Sequence, residues 1–321
     1  MRSTRVATSL FLLVLSACAT PRAGGRHIHP PLTGKVWDVA AHRFISWEAL
    51  EARARAADFV VLGETHDNPD HHLLQARLVR AVASAQRHPS VAFEMLDVEQ
   101  QPIVDAARRD HPTDPDALAA AVDWAHSGWP AFPMYRPIFA AAMELELPIV
   151  AANLSRQRAR RVMEAGASAA DPAIQARLHR EEPLPAARMD ALREEMRTSH
   201  CGALPETLID PMVLAQRARN VQLALRLEQA DRGDGAILIT GAGHARTDRA
   251  VPRLVSEDRP QATVLAVGFL EVDPERMAPD DYARAFGAEV LPFDVVVFTP
   301  EGATPSTSRA GRSAPLPCRG R

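Results

Sequence analysis

The sequence predicts an α/β fold: a mostly parallel sheet flanked by helices, with an inserted helical cap subdomain. Three observations lead there. Short, continuously apolar, β-branched runs recur along the chain, they alternate with longer helical patterns, and one stretch between residues 171 and 210 breaks the alternation. Strands covered by helices on both faces lose the in–out alternation of a half-exposed strand and read as unbroken apolar runs. The runs are Phe59-Val60-Val61-Leu62, Val91-Ala92-Phe93, Pro148 to Ala152, Ala236 to Ile239, Thr263 to Phe269 and Phe293 to Phe298. Helical stretches between them cover His71 to Arg87, Gln100 to Arg109, Asp116 to His126, Pro137 to Leu147, Gln157 to Ala165 and Pro211 to Asp231. Such repetition implies parallel strands joined by right-handed crossovers. From Asp171 to Asp210 the sequence is polar and helical, with Glu181 to Arg197 as helix and Cys201-Gly202-Ala203-Leu204-Pro205 as a turn. An insertion of that size inside an α/β unit is expected to cap a cleft.

The flanks of this body, residues 36–300, read differently. Arg2 and Arg5 precede an apolar run from Val6 to Ala17. A bilayer needs about 20 apolar residues, so the run is too short to span and reads as a secretory signal, residues 1–17. It ends in Leu15-Ser16-Ala17-Cys18, which looks like a bacterial lipobox with lipid attachment at the Cys18 thiol. Ala19 follows rather than Asp, and by resemblance to Gram-negative lipoproteins this favours the outer membrane, on its periplasmic face or at the cell surface. Residues 18–35 form a tether rich in Pro, Gly, Arg and His, and residues 301–321 read as a disordered tail. Cys201 and Cys318 are left either to pair or to remain thiols. The charge is nearly balanced, 37 Lys+Arg against 40 Asp+Glu, which argues against a nucleic-acid partner. Lys35 is the only lysine, so no other Schiff base or lysine general base is available.

Ligands of open parallel sheets bind outside the carboxyl ends of the strands. After Phe59–Leu62 comes Gly63-Glu64-Thr65-His66-Asp67, after Val91–Phe93 comes Glu94-Met95, after Pro148–Ala152 comes Asn153, and after Ala236–Ile239 comes Thr240-Gly241-Ala242-Gly243-His244. Glu64 and His66 lie two residues apart on an extended segment and so face one side. Together with Glu94 and His244 they are the candidate catalytic set, suited to a divalent metal ion or to general acid–base work. The Gly-x-Ser-x-Gly elbow, the Walker loop and the His-Glu-x-x-His zinc pattern are absent from the sequence, and Gly241-x-Gly243 lacks the third glycine of a dinucleotide turn.

These residues carry a resemblance. Gly63-Glu64-Thr65-His66, Phe93-Glu94-Met95, Ala152-Asn153-Leu154, Gln216-Arg217-Ala218-Arg219-Asn220 and Gly241-Ala242-Gly243-His244-Ala245 resemble, in that order, the motifs of the ChaN family. That family comprises iron-regulated haem-binding lipoproteins within the wider Tiki-like group, and the resemblance runs from about Ala57 to Glu271. It implies a parallel-sheet body with a helical addition, and haem held between two protomers with tyrosine as an iron ligand. The wider group also includes Tiki-type metal-dependent proteases and erythromycin-esterase-like hydrolases, which use the equivalent glutamate and histidines. Where the family usually has Asp, this chain has Asn220, which removes a charge at that position.

Only Tyr135 and Tyr282 can supply the tyrosine. Tyr282 sits in the acidic Asp280-Asp281-Tyr282, which would repel haem propionates. Tyr135 lies in Trp129-Pro130-Ala131-Phe132-Pro133-Met134-Tyr135-Arg136, aromatic, proline-stiffened and next to a cation. Tyr135, Arg136 and Trp129 are therefore the expected haem contacts, with His200 and His126 as further candidates. Two functions are expected: a haem-binding outer-membrane lipoprotein serving iron or haem acquisition, dimeric around its haem, or a metal-dependent hydrolase acting through Glu64, His66, Glu94 and His244.

Overall fold

A computed structural model describes residues 31–83, 87–181 and 183–302. The secretory signal, Cys18, most of the tether, Cys318 and nearly all of the tail lie outside the described residues. The chain opens with a short hairpin, β1 (Val36–Asp38) and β2 (Arg43–Ile45), then runs through α1 (Trp47–Ala56), β3 (Phe59–Glu64), α2 (Pro69–Val82) and β4 (Ser90–Asp97). Helices α3 (Gln101–Asp110), α4 (Pro115–Ala121) and α5 (Phe132–Glu144) lead to β5 (Ile149–Asn153) and α6 (Arg156–Ala165). Next come α7 (Pro172–Arg180), α8 (Ala186–Ser199) and the long α9 (Glu206–Ala230), followed by β6 (Ala236–Gly241), α10 (Val251–Asp258), β7 (Val264–Glu271) and β8 (Val295–Thr299).

The eight strands form one sheet in the order β2-β1-β8-β7-β3-β6-β4-β5. All six apolar runs become its parallel strands, β3 to β8, as their unbroken hydrophobicity requires. The hairpin of β1 and β2 is antiparallel and closes one edge; its three-residue strands carry no apolar run to announce them. Successive side chains go to opposite faces. On β3, Val60 and Leu62 join the core beneath α1, α2 and α5, while Phe59 and Val61 join the core beneath α9 and α10. Strands β4 and β6 divide the same way, Phe93 and Ile239 to the first face, Ala92 and Leu238 to the second. Each fully buried Val, Leu, Ile or Phe of these layers contributes about 1.5–3 kcal/mol over leaving it in water.

Helix α2 starts where the sequence dictates: the Asn68 side chain accepts from the Asp70 amide at 2.9 Å and Pro69 occupies the first turn. Helices α5 and α9 begin five residues earlier than expected, with Pro137 and Pro211 inside them rather than at their starts. The interrupting stretch is helical, comprising α7, α8 and the first turn of α9. Cys201, in left-handed backbone just after α8, is disulfide-bonded. Among the described residues no helix is long and apolar enough to cross a membrane.

The connections place the site. Strand β3 leaves through α2 on one face of the sheet, while its neighbour β6 leaves through α10 on the other. Where adjacent strands send their crossovers to opposite faces, a crevice opens at their carboxyl ends.

Candidate functional site

Glu64 ends β3 and is buried beside Gly241, its partner residue at the end of β6. Its carboxylate is ringed by donors. Oε1 accepts from the Tyr135 hydroxyl at 2.7 Å and from His66 Nδ1 at 2.9 Å. His72 Nε2 stands 3.2 Å from Oε2, close enough for charge attraction but not aligned as a hydrogen bond, so both atoms are buried without a hydrogen-bond partner. Burial alone would push Glu64 up; the charge of His72 and the hydrogen bond from His66 more than reverse this and hold the carboxyl at about 2. His66 moves the other way. Burial opposes its charge, and the Glu64 hydrogen bond with the Glu94 and Glu64 charges raises it to about 8. The first turn of α2, which follows, adds His71, whose Nδ1 accepts from the Thr65 amide at 2.9 Å and whose Nε2 meets Thr299 Oγ1 at 2.8 Å. Burial holds His71 neutral, at about 3.

Glu94 lies on β4 just past its last pairing with β6. Thr240 Oγ1 donates to Oε2 at 2.6 Å and the Gly241 amide at 2.8 Å, which fixes one carboxylate oxygen. The other, Oε1, faces His244 Nε2 at 3.4 Å. His244 Nδ1 meets Asn220 Oδ1 at 2.6 Å, so the Asn220 amide oxygen of α9 accepts the hydrogen bond from Nδ1 and turns Nε2 toward Glu94. Burial pushes His244 down, while Glu94 acts in the opposite direction. Two glycines let the halves approach. A Cβ on Gly63 would fall 2.5 Å from Ala245 Cβ, and one on Gly241 would fall 2.8 Å from His66 Nε2. The inserted helix α8 reaches this loop: Glu195 pairs with the buried Arg249 at 2.7 Å and borders Gly243.

The structure thus brings Glu64, His66, Glu94 and His244 into one cluster across three adjacent strands. Such a cluster can hold and pass a proton. As for metal, among the described residues no group of three or more His, Cys, Asp or Glu side chains is arranged to hold an ion. One oxygen of each carboxylate is already committed, Glu64 Oε1 to Tyr135 and His66 and Glu94 Oε2 to Thr240 and Gly241.

The expected haem contacts are scattered. Trp129 is half-buried at the mouth, its ring edge-on to His66 at 4.9 Å. Arg136 is exposed on α5 and pairs with Asp116 at 2.8 Å. His200 is bound into the end of α8 through Met196 O at 2.9 Å, and His126 pairs with Asp123 on the surface. Tyr135 is fully buried between His72 and Trp124. Burial, then the charges of Glu64 and Glu94, push its phenol well above the usual range. Tyr282 is buried too, its oxygen accepting from the Asp273 amide at 2.8 Å. Iron ligation by tyrosinate does not fit either side chain as placed: each oxygen is turned inward and committed, and Tyr135 is held protonated. Trp129, half-buried, and Arg136, exposed, keep an aromatic ring and a cation outside the core, and no described contact joins the two. Sequence reasoning missed His72, the roles of Tyr135 and Thr240 as partners of the two glutamates, and that of Asn220 as the partner of His244. The adjacent His71-His72 on a helix face turned to the core was the one available signal.

No curated protein matches this sequence. Among solved structures, the fold is similar to ChaN of Campylobacter jejuni, described with cofacially bound haem: the TM-score is 0.62 at 20% identity, covering 82% of this chain and 95% of that one. An erythromycin esterase variant in its open conformation aligns with a TM-score of 0.48 at 12% identity, over 80% of this chain and 94% of that one. The family described as haem-binding uptake, Tiki superfamily, ChaN matches residues 50–255, a span that contains all five motifs and every residue of the Glu64–Glu94 cluster. By that match the chain belongs to the haem-binding ChaN family of the Tiki superfamily.

Proposed function

We propose that this protein is a haem carrier serving haem or iron acquisition, tethered to the outer membrane through lipidated Cys18, with two protomers meeting around the haem. The family match over residues 50–255 carries the reading. The lipobox ending at Cys18 supports the tether, and a lipid chain contributes roughly 0.8 kcal/mol per buried methylene to anchoring. The macrocycle is assigned to the mouth of the cleft, against Trp129, with Arg136 answering a propionate. Arg136 can leave its exposed partner Asp116 at little cost, since such surface pairs are worth about 0–1 kcal/mol. Tyr135 is a packing and hydrogen-bonding partner of Glu64 in this reading, not the iron ligand. The lack of a three-ligand metal group among the described residues gives the metal-dependent hydrolase no support.

Titration of the purified protein with hemin is the test. A saturable Soret shift is expected, weakened at least tenfold by Trp129→Ala and changed less than twofold by Tyr135→Phe. An unchanged spectrum for the wild-type protein would overturn haem binding; a spectrum lost only in Tyr135→Phe would restore tyrosine as the ligand.

A further inference from the structure

At the opposite edge of the sheet, where β4 and β5 begin, a cavity of about 380 Å³ opens between α3 and the end of α9. Its size falls within the range of about 300–1,000 Å³ typical of small-molecule sites. Arg108 from α3, Arg226 from α9 and Arg232 just beyond it line this cavity, against a single carboxylate, Asp105. That carboxylate already accepts from Gln101 Nε2 at 2.9 Å. None of the three arginines has a described carboxylate within 4.0 Å.

Each guanidinium is short of a counter-charge. Arg226 donates only to neutral oxygens: Ala151 O at 3.0 Å, Gln229 Oε1 at 3.3 Å and Gln101 Oε1 at 3.3 Å. Arg108 Nε is buried with no hydrogen-bond partner among the described residues. Burial pushes Arg108 and Arg226 down from the usual guanidinium range, with only the charges of Asp105 and, for Arg108, Glu146 opposing it. A buried, unpartnered donor next to further cations is costly unless an anion completes it. Guanidinium forks are the protein groups best matched to carboxylate and phosphate oxygens.

We propose that this cavity binds a small polyvalent oxyanion, a phosphate or a di- or tricarboxylate, at a site separate from the strand-end cleft. The inference is independent of haem binding, because it uses residues at the amino ends of the strands and none from the cluster at their carboxyl ends.

Calorimetric titration of the full chain with inorganic phosphate and with citrate, at ionic strength matched with chloride, tests it. Saturable one-to-one binding of at least one anion is expected, with a rise in Tm that follows ligand concentration. Citrate alone assigns the carboxylate class, phosphate alone the phosphate class. The double variant Arg108→Gln, Arg232→Gln should weaken binding at least tenfold. Its Tm without anion should be unchanged or higher, because neither side chain has a carboxylate partner to lose. Equal binding by the double variant, or stabilisation by neither anion beyond chloride, overturns the proposal.

Discussion

Replacing Glu64 by Gln removes the carboxylate that keeps His66 charged, and this changes how stability depends on pH. His66 is raised from 6.5 to about 8. A histidine whose folded value exceeds its unfolded value binds its proton more tightly in the native state. Its contribution is fully present below pH 6.5 and is lost as the pH rises through about 8. At about 1.4 kcal/mol per pH unit, that interval corresponds to about 2 kcal/mol. The hold on Glu64 at about 2, set by the charge of His72 and then by His66, lies far below this window and adds nothing in it. His71 and His244 are lowered by burial, so they cost stability only below pH 6.5, where the unfolded chain takes up their protons. His126 is raised by Asp123 on the surface and contributes alike to both proteins. Urea denaturation of wild type and Glu64→Gln, followed by tryptophan fluorescence between pH 6.5 and 9, isolates the difference. Wild type should lose about 2 kcal/mol more than the variant across the window. The His66 ring of the variant should titrate well below 8 by NMR. Parallel stability profiles, or a variant His66 still titrating near 8, would refute the reasoning.

Three further substitutions probe the same cluster. Gly63→Ala places a Cβ 2.5 Å from Ala245 Cβ and 3.0 Å from Ala242 Cα, where backbone must move. It should cost at least the upper end of the overpacking range of about 1–3 kcal/mol, measured by thermal melts. Gly241→Ala meets only the movable His66 ring, so it should cost less but flatten the pH dependence as Glu64→Gln does. Asn220→Asp restores a charge 2.6 Å from His244 Nδ1 and should raise that histidine by a unit or more in an NMR titration; an unmoved titration would mean the contact carries no such influence.

Much of this architecture was legible in the sequence because burial on both faces leaves so plain a trace. Six apolar runs became six parallel strands, and the polar residues at the ends of three of them became the cluster. Less visible were elements whose residues carry mixed signals. The edge hairpin exposes Arg43 and Phe44 and has no alternation to read, and α10 is only eight residues long. The fate of Tyr135 was not legible at all. Its neighbours Trp129, Pro133 and Arg136 read equally well as the wall of a haem pocket or as a helix packed over the sheet. What decides is the three-dimensional meeting of α5 with α2, which sets Tyr135 against His72 and aims its hydroxyl at Glu64. No local pattern encodes a hydrogen bond between residues 71 positions apart.

Stability does not account for the cluster's composition. Exchanging buried ion pairs for apolar residues of similar volume is often neutral or stabilising by about 1–4 kcal/mol. Here His72 Nδ1 and Nε2, Glu64 Oε2 and Asn153 Oδ1 are buried without hydrogen-bond partners, each at a cost of about 1–3 kcal/mol. The same strands show that apolar packing was available: Val61 and Leu62 on β3, Phe93 on β4 and Leu238 and Ile239 on β6 are wholly buried one to three residues before the polar set begins. Polarity therefore starts where the crossovers of β3 and β6 part and a crevice opens, and not along the strands at large. A cost borne there, at the ends of strands that are otherwise apolar, is what selection for a ligand or a proton-handling site leaves behind. It follows that apolar replacement of the whole network, Glu64→Leu and His72→Leu with Tyr135→Phe so that no buried hydroxyl loses its acceptor, is compatible with the fold, and that the residues are held there by what the cleft must do.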